Sequence, residues 1–574
     1  MRRVSRRVGR VFESHHIEPC IVVGLEDSAH PTSCQPHRRG TLLIVVLVVL
    51  VLLTLAAYNY TQFMMTELEA SAMHAADVQA RVLADSGADY VSVLLANRGQ
   101  PGLENLQDNA ELFLGIGVSD SDRARSRGRF TIVAPVEHDT ASAAVRYGLI
   151  DESAKLNLNM LDKLQLDDTQ SRTLLMGLPG MTEYIADSIR DWTDADDTMR
   201  QYGAESEYYE NLSPPYAAKN GPLETIDELL LVQGVTPELL YGEDANRNGL
   251  LDPNENDGDA SPPFDNADGY LQLGWHAFLT VHSRETNVRA DGTARIDVNN
   301  GLLTDLYDQL AEEYDEETAK FVVGFRLVGP KEKPPSESST SGATTASSSS
   351  SQQQKQQENQ VIQGAATALG EALSSGGQVT RGGMDLSKGG QTQIKSIWEL
   401  IGSTTAKVRV GTVEQEIPSP WPADTGSLPA LLPTLLDVLS ISADEYLEGR
   451  LNVNQARREV LIGLPNMTES LADAIVIGQQ VDPVALSART TTGWLFTDGL
   501  VDIWAMRELD KFLTARGDVY RAQILGFFDG GGPVARIEVV VDGTQMPPRV
   551  VFCRDLNDLG RGYSRLQLLP AEMR

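Results

Sequence analysis

Cysteine is almost missing from this chain: there are three in 574 residues. Cys20 and Cys34 precede a long apolar run and Cys553 lies far beyond it, so no disulfide framework can be read. Histidine is scarce as well, with eight in all and four of them before residue 40, which leaves little material for a histidine-based metal or catalytic site. His276 and His282 flank the β-like run "HAFLTVH" and read as structural. The chain contains no Gly-x-Ser-x-Gly, no phosphate-cradling Gly-Lys-Ser/Thr loop, no His-Glu-x-x-His and no Cys-x-x-Cys. The expectation is a protein that is not an enzyme. Basic residues are also in deficit, 48 against 80 acidic, for a formal net charge of −32. Phosphate binding needs a basic face, so nucleic acid is an unsuitable partner. Divalent cations are not excluded.

What the sequence does have is one very apolar segment. From Gly40 to Thr66 there is no charged residue, and Leu42 to Leu53 is an unbroken aliphatic run. As a helix, Thr41 to Met65 exceeds the roughly 30 Å of a bilayer core. A secretory h-region is usually shorter and ends in a small-residue cleavage site. Here the run passes into "TELEASAMHAADVQARVLADSGADYVSVLLA", whose apolar positions keep helical spacing. Seven arginines lie ahead of Gly40, placing that end on the cytoplasmic side and the acidic bulk across the membrane. A single-pass membrane protein is predicted; a plain signal anchor would explain this much too.

The length suggests two to four domains. Residues 1–40 form a basic leader, 41–98 a transmembrane and extended helix, and 99–150 the first β-rich part. Residues 151–330 form a helical domain with acidic loops. The Ser/Gln/Gly-rich stretch 331–393 is a linker that cannot bury a core. Residues 394–515 read as a second helical module, and 516–574 as three strands joined by Gly- and Pro-containing turns. The fold class is α+β: strands at both ends of the outer part, with large helical insertions between. Within the insertions, "LLMGLPGMTEYIADSIRDW" (Leu174–Trp192) recurs as "VLIGLPNMTESLADAIVIG" (Val460–Gly478). Each copy follows an Asn-x-Asn element, "KLNLNML" or "RLNVNQA", and "RIDVNNG" (Arg295–Gly301) is a weaker third. Asn159 and Asn454 are placed as helix N-caps.

Three features bear on chemistry. In "DANRNGLLDPNE", oxygen-bearing side chains fall at loop positions 1, 3, 5, 9 and 12 as Asp244, Asn246, Asn248, Asp252 and Glu255. Gly249 stands at the sharp turn and the Leu250 carbonyl at position 7, the EF-hand spacing for a hard cation, although Pro253 and "NDGDASPP" give no proper exiting helix. Against this stands a merely solvated acidic turn. A second acidic run includes Asp191, Asp194, Asp196, Asp197, Glu205 and Glu207, for which spacing alone leaves cation site and solvated loop equally open. The hairpin turns Gly177, Pro179, Gly180 and Gly463, Pro465 carry the helix-hairpin-helix signature, which in many proteins grips the DNA backbone. Residues 151–240 hold 18 acidic and 6 basic side chains, so a packing module is the expectation instead.

The order apolar helix, strand, "LNLN", "GLPGM", "DWTDADD", "GAESEYY", "PPYAAKNGPL", "IDELLLVQGV" resembles the general secretion pathway protein K family, the large minor pseudopilin of type II secretion systems. The resemblance implies cleavage by a prepilin peptidase after Gly40, with Thr41 as a methylated first residue. It also implies a pilin-like α/β fold carrying an inserted helical domain that binds Ca²⁺, and adds Asp194, Asp196, Asp197 and Glu207 as ligands. Ordinary pilins have a glutamate at the fifth mature position, pairing a neighbour's terminal amine, whereas this chain has Val45. A subunit without that charge suits the tip, because inside the filament a buried amine would go unpaired. The implied partners are minor pseudopilins I and J and other pseudopilins, with the outer-membrane channel and secreted substrates as further candidates. The implied role is to start or cap the pseudopilus in protein export. Alternative readings are a signal-anchored envelope calcium-binding protein and a competence-type helix-hairpin-helix DNA receptor.

Overall fold

The computed structural model describes residues 41–570 except 104, 137–144, 162, 165, 332–378 and 480–488. The leader with Gly40, and most of the low-complexity linker, lie outside the described residues. Two compact units divide the chain at residues 72 and 73. The first contributes the apolar half of one long helix, α1 (Thr41–Ala96), whose side chains from Leu42 through Met65, Val45 included, are exposed. It is the one helix among the described residues long and apolar enough to cross a membrane.

In the second unit, the C-terminal half of α1 turns one face inward. Ala80, Leu83, Ala84, Ala88, Val91 and Leu95 are buried, three or four residues apart, as one stripe of a 3.6-residue helix requires. The stripe packs on an antiparallel sheet ordered β1 (Ile116–Ser119), β2 (Gly128–Pro135), β3 (Val519–Phe528), β4 (Ala535–Asp542), β5 (Arg549–Asp555). Strands from both ends of the chain therefore complete one sheet, with Ile132 opposite Ile524. Two glycines let helix and sheet approach closely. A Cβ on Gly87 would lie 2.5 Å from the Ile524 side chain, and one on Gly526 would lie 2.2 Å from the Ala80 carbonyl oxygen. This is the α+β class with a large insertion between β2 and β3.

The insertion departs from the expected pair of modules. One continuous apolar core runs from Leu156 to Leu513, drawing on both sides of the linker. Three similar units build it, not two. Each pairs an Asn-x-Asn (or Asp-x-Asn) strand in parallel with a Leu-Thr/Ser strand: Leu156–Asn157 with Leu279–Thr280, Ile296–Asp297 with Leu439–Ser440, Leu451–Asn452 with Leu513–Thr514. Between the partners stand helix pairs: α2 (Asp168–Met176) and α3 (Glu183–Thr193), α4 (Leu303–Glu313) and α5 (Glu316–Val328), α6 (Arg458–Ile462) and α7 (Glu469–Gln479). The middle unit is hard to see in sequence because the linker splits it and its hairpin lacks the Gly-Leu-Pro turn.

Two local expectations need correction. Asn159 and Asn454 do not cap helices; Asp167 caps α2. Asn159 instead exchanges two side-chain bonds with the Leu223 backbone, at 2.8 and 2.9 Å, and Asn299 does the same with Ile394. Asn454 donates to the Arg489 and Ala515 carbonyls. Residues 379–393, expected as linker, contain a small hairpin, Thr380–Arg381 with Met384–Asp385, because Met384 and Leu386 have apolar core to enter.

Candidate metal centre

The Asp244–Glu255 loop follows the short helix Pro237–Tyr241, which is capped by Thr236. The loop closes on itself through its own acidic and amide side chains. One Asp244 carboxylate oxygen accepts from the Asn248 amide and the other from the Gly249 amide, both at 2.9 Å. Asn246 and Asn248 both donate to one Asp252 oxygen, at 2.6 and 2.9 Å. Gly249 takes a positive φ of 69°, which a side chain would resist. Glu255 ends a single 3-10 turn, Pro253–Glu255, and one of its oxygens accepts from the Asp252 amide. Its other oxygen is buried with no hydrogen-bond partner.

The five side chains at loop positions 1, 3, 5, 9 and 12 thus share one small region of the protein, and the Leu250 side chain enters an apolar cluster with Val133, Leu525 and Phe527 of the sheet. Burial pushes the Asp244 carboxyl up to about 6. Burial, with the Asp244 and Asp252 charges beside it, pushes Glu255 up to about 7. Such a group of desolvated, mutually repelling oxygens has the donor chemistry that a hard dication takes. Among the described residues no three His, Cys, Asp or Glu side chains stand as a ready coordination set. Two of this loop's five side-chain donors are asparagines.

The second acidic run is arranged differently from the ligand set implied by resemblance. Asp196 is exposed and accepts from the Thr198 amide; Asp197 accepts from Asn220; Glu207 is exposed at the start of a one-turn helix. The residues brought together are Asp191, Asp194 and Glu205, all buried. Arg200 reaches into them, donating to Asp191 at 2.8 Å and to Asp194. Both Glu205 oxygens and one Asp194 oxygen are buried without a partner. Burial, then the charges of Asp191, Asp194 and Asp197, raise Glu205 to about 7. Asp191 and Glu205, both in the acidic run, lie outside the four residues that the resemblance implied; Glu205 is the less obvious of the two. Its signal lies in the word "GAESEYY", where Ala204 beside it and Tyr209 four residues on are core residues and Glu207 falls on the outer side.

The hairpin turns meet each other. A Cβ on Gly177 would lie 2.3 Å from the Glu459 carbonyl oxygen, and one on Gly463 would lie 2.3 Å from that of Leu174. Gly180 and Asn466, equivalent in the two copies, both take positive φ, 67° and 59°. Pro179 offers its carbonyl to the Trp275 indole at 2.8 Å, and Pro465 keeps the same turn in the second copy. His276 and His282 line a cavity of about 110 Å³ with Lys155, Arg521 and Glu538. Burial drives His276 down to about 3, so it is neutral there.

Residues 154–241 match the family model described as type II secretion system protein K. The chain is 31% identical over 227 residues to the type II secretion system protein K of Aeromonas hydrophila, covering 36% of this chain and 62% of that protein. It is 29% identical over 133 residues to a putative type II secretion system protein K of Escherichia coli K12, covering 21% and 41%. The matches thus span less than two thirds of each relative. Among solved structures, a chain of the GspK-GspI-GspJ complex from enterotoxigenic Escherichia coli aligns over 86% of this chain and 98% of that one. The identity is 11% and the TM-score 0.32, too low to argue from. The matched segment holds the first Asn-x-Asn strand, the first hairpin and the Asp191–Glu205 cluster, and over that segment the chain is similar to type II secretion system protein K.

Proposed function

We propose that the chain is a minor pseudopilin at the tip of the type II secretion pseudopilus, anchored in the inner membrane by α1, with its acidic domain in the periplasm. The observation that carries this is the protein K match over residues 154–241, in a chain that also has a long apolar N-terminal helix and an antiparallel sheet built from strands on both sides of the insertion. Val45 at the fifth position after Gly40 supports a place at the tip, since no carboxylate is present to pair a neighbour's amine. Minor pseudopilins I and J are the proposed partners, as the resemblance to the protein K family implies. Facing hairpin turns and an acidic surface support packing over DNA binding.

The chain also binds Ca²⁺ in this reading. Asp244, Asn246, Asn248, Asp252, Glu255 and the Leu250 carbonyl hold one ion, and Asp191, Asp194 and Glu205 are the donors for a second. The ion supplies positive charge that lets these carboxylates stay ionised and buried together. The residues themselves fold the loops inward and exclude water from them.

The test is the mature N-terminus, read by mass spectrometry after expression with and without a prepilin peptidase. A chain starting at Thr41 only when the peptidase is present is the expected result. A chain that keeps its arginine-rich leader in both cases would make the segment a permanent anchor and overturn the pseudopilin assignment.

A further inference from the structure

Arg536 is the second residue of β4 and is fully buried. Among the described residues no carboxylate lies within ion-pair distance of it, so its charge is met by neutral acceptors. Those acceptors belong mainly to the cation loop. One terminal nitrogen donates to the Asn246 carbonyl at 2.8 Å, the other to the Arg247 carbonyl at 2.6 Å and to the Gln523 side-chain oxygen at 2.8 Å. Its Nε has no partner. The guanidinium lies 5.4 Å from the centre of the Tyr563 ring. A Cβ on Gly562 would come within 2.6 Å of it, so the C-terminal segment closes over the group.

The same neighbours grip the loop again. Tyr563 donates its hydroxyl to the Asn248 carbonyl at 2.9 Å, Gln523 donates to the Arg247 carbonyl at 2.7 Å, and Asn248 donates to the Gly562 carbonyl at 2.7 Å. Arg247, at the centre of these bonds, has a φ of 57°, uncommon for a residue with a side chain. The sheet and the C-terminal segment therefore hold the backbone at loop positions 3 to 5 from outside. The side chains at positions 1, 3, 9 and 12 bond within the loop, and Asn248 at position 5 bonds both within it and to Gly562.

We infer that Arg536 is the positioning residue of the Asp244–Glu255 calcium site, fixing the first half of the loop from the pilin sheet so that ion binding also locks the inserted domain to the C-terminal segment. This rests on the calcium reading of the loop. The charges argue in a useful direction. Asp244, Asp252 and Glu255 carry three negative charges, a dication supplies two positive ones, and Arg536 supplies the third. A cation near a cation site weakens binding if charge alone matters. If position matters, removing the fork weakens binding although the charge is kept, as with the outer-shell partners of other metal sites.

The experiment uses the full chain in detergent micelles, with Ca²⁺ affinity from calorimetric titration and melting in Ca²⁺ and in chelator. Arg536→Lys retains the charge and loses the two-pronged grip; it should bind Ca²⁺ about 10-fold or more weakly. The gap between the two melting temperatures should narrow. Tyr563→Phe removes the hydroxyl, with its bonds to the Asn248 carbonyl and the Gln523 side-chain oxygen, keeps Arg536, and should weaken binding by a smaller factor; it decides the matter if the lysine variant does not fold. Unchanged or tighter binding in the folded variants, or an equal fall in both melting temperatures, would overturn the inference while leaving calcium in place. No binding by the unaltered chain would overturn the calcium reading itself, and this inference with it.

Discussion

Asp151 is buried where the insertion leaves the sheet, opposite Tyr520 of β3. It accepts from the Ser153 amide and from Asn452, both at 2.8 Å, yet burial outweighs these bonds and pushes its carboxyl up to about 7. The folded state therefore holds a proton that the unfolded chain releases near pH 4, and stability falls as pH rises from about 4 to 7. Its neighbour Glu152 behaves oppositely. Burial opposes its charge, but Arg521 and Lys155 hold it well below the usual carboxylate range, so its contribution is lost only in acid below that window. Asp151→Asn should flatten the decline of unfolding free energy between pH 4.5 and 7.5 by on the order of 2–4 kcal/mol. Equal slopes in chemical denaturation of the two chains would remove Asp151 as the cause.

The second acidic cluster offers another residue-scale test. In the full chain, Glu205→Gln should shrink the rise in melting temperature that Ca²⁺ gives, and Glu207→Gln, on the exposed side, should leave it unchanged. The reverse pattern would return the site to the exposed residues. Sequence pointed to this acidic run, and the fold turns Asp191, Asp194 and Glu205 of it inward. Six acidic residues lie from Asp191 to Glu207, and only the packing of Trp192, Ala204 and Tyr209 separates inward from outward.

At the scale of elements, the repeated Gly-Leu-Pro turns are contact surfaces. Because the atoms met by a Cβ at Gly177 are backbone, the clash cannot be relieved by turning a side chain. Gly177→Ala should cost about 1–3 kcal/mol, as overpacking usually does. Gly301→Ala, where nothing lies within 4 Å of the added atom, should be close to neutral. Similar effects in chemical denaturation would mean that the two hairpins do not rely on this approach. The spacing of the Asp244–Glu255 loop can be read residue by residue because its oxygen-bearing side chains are local. Arg536 was not: it is almost 290 residues from the loop it supports, and no local pattern marks a guanidinium that binds carbonyls.

The whole insertion behaves as one body because a single core spans the linker. Phe321 and Phe325 before it pack in the same cluster as Trp398 and Trp421 after it, and Phe321 meets Trp421 edge-on at 6.2 Å. Short strands repeat the tie, with Ile296–Asp297 against Leu439–Ser440 and Arg284–Thr286 against Tyr446–Glu448. A protease site placed within residues 340–370 and cut after folding should leave the two fragments together on a sizing column, with little change in melting temperature. Fragments that separate without denaturant would show that the units are independent, as composition alone suggested.

By itself the sequence determined the apolar helix, the class of the strands, the acidic balance and the spacing of oxygen-bearing side chains in the Asp244–Glu255 loop. Each of these is set by neighbours along the chain: hydropathy period, turn residues and ligand spacing. The tertiary structure decided that three units share one core, that Asp191, Asp194 and Glu205 are the inward carboxylates, and that β4 holds the loop through Arg536. Those depend on which surfaces are taken out of water together, and burial is settled between segments hundreds of residues apart.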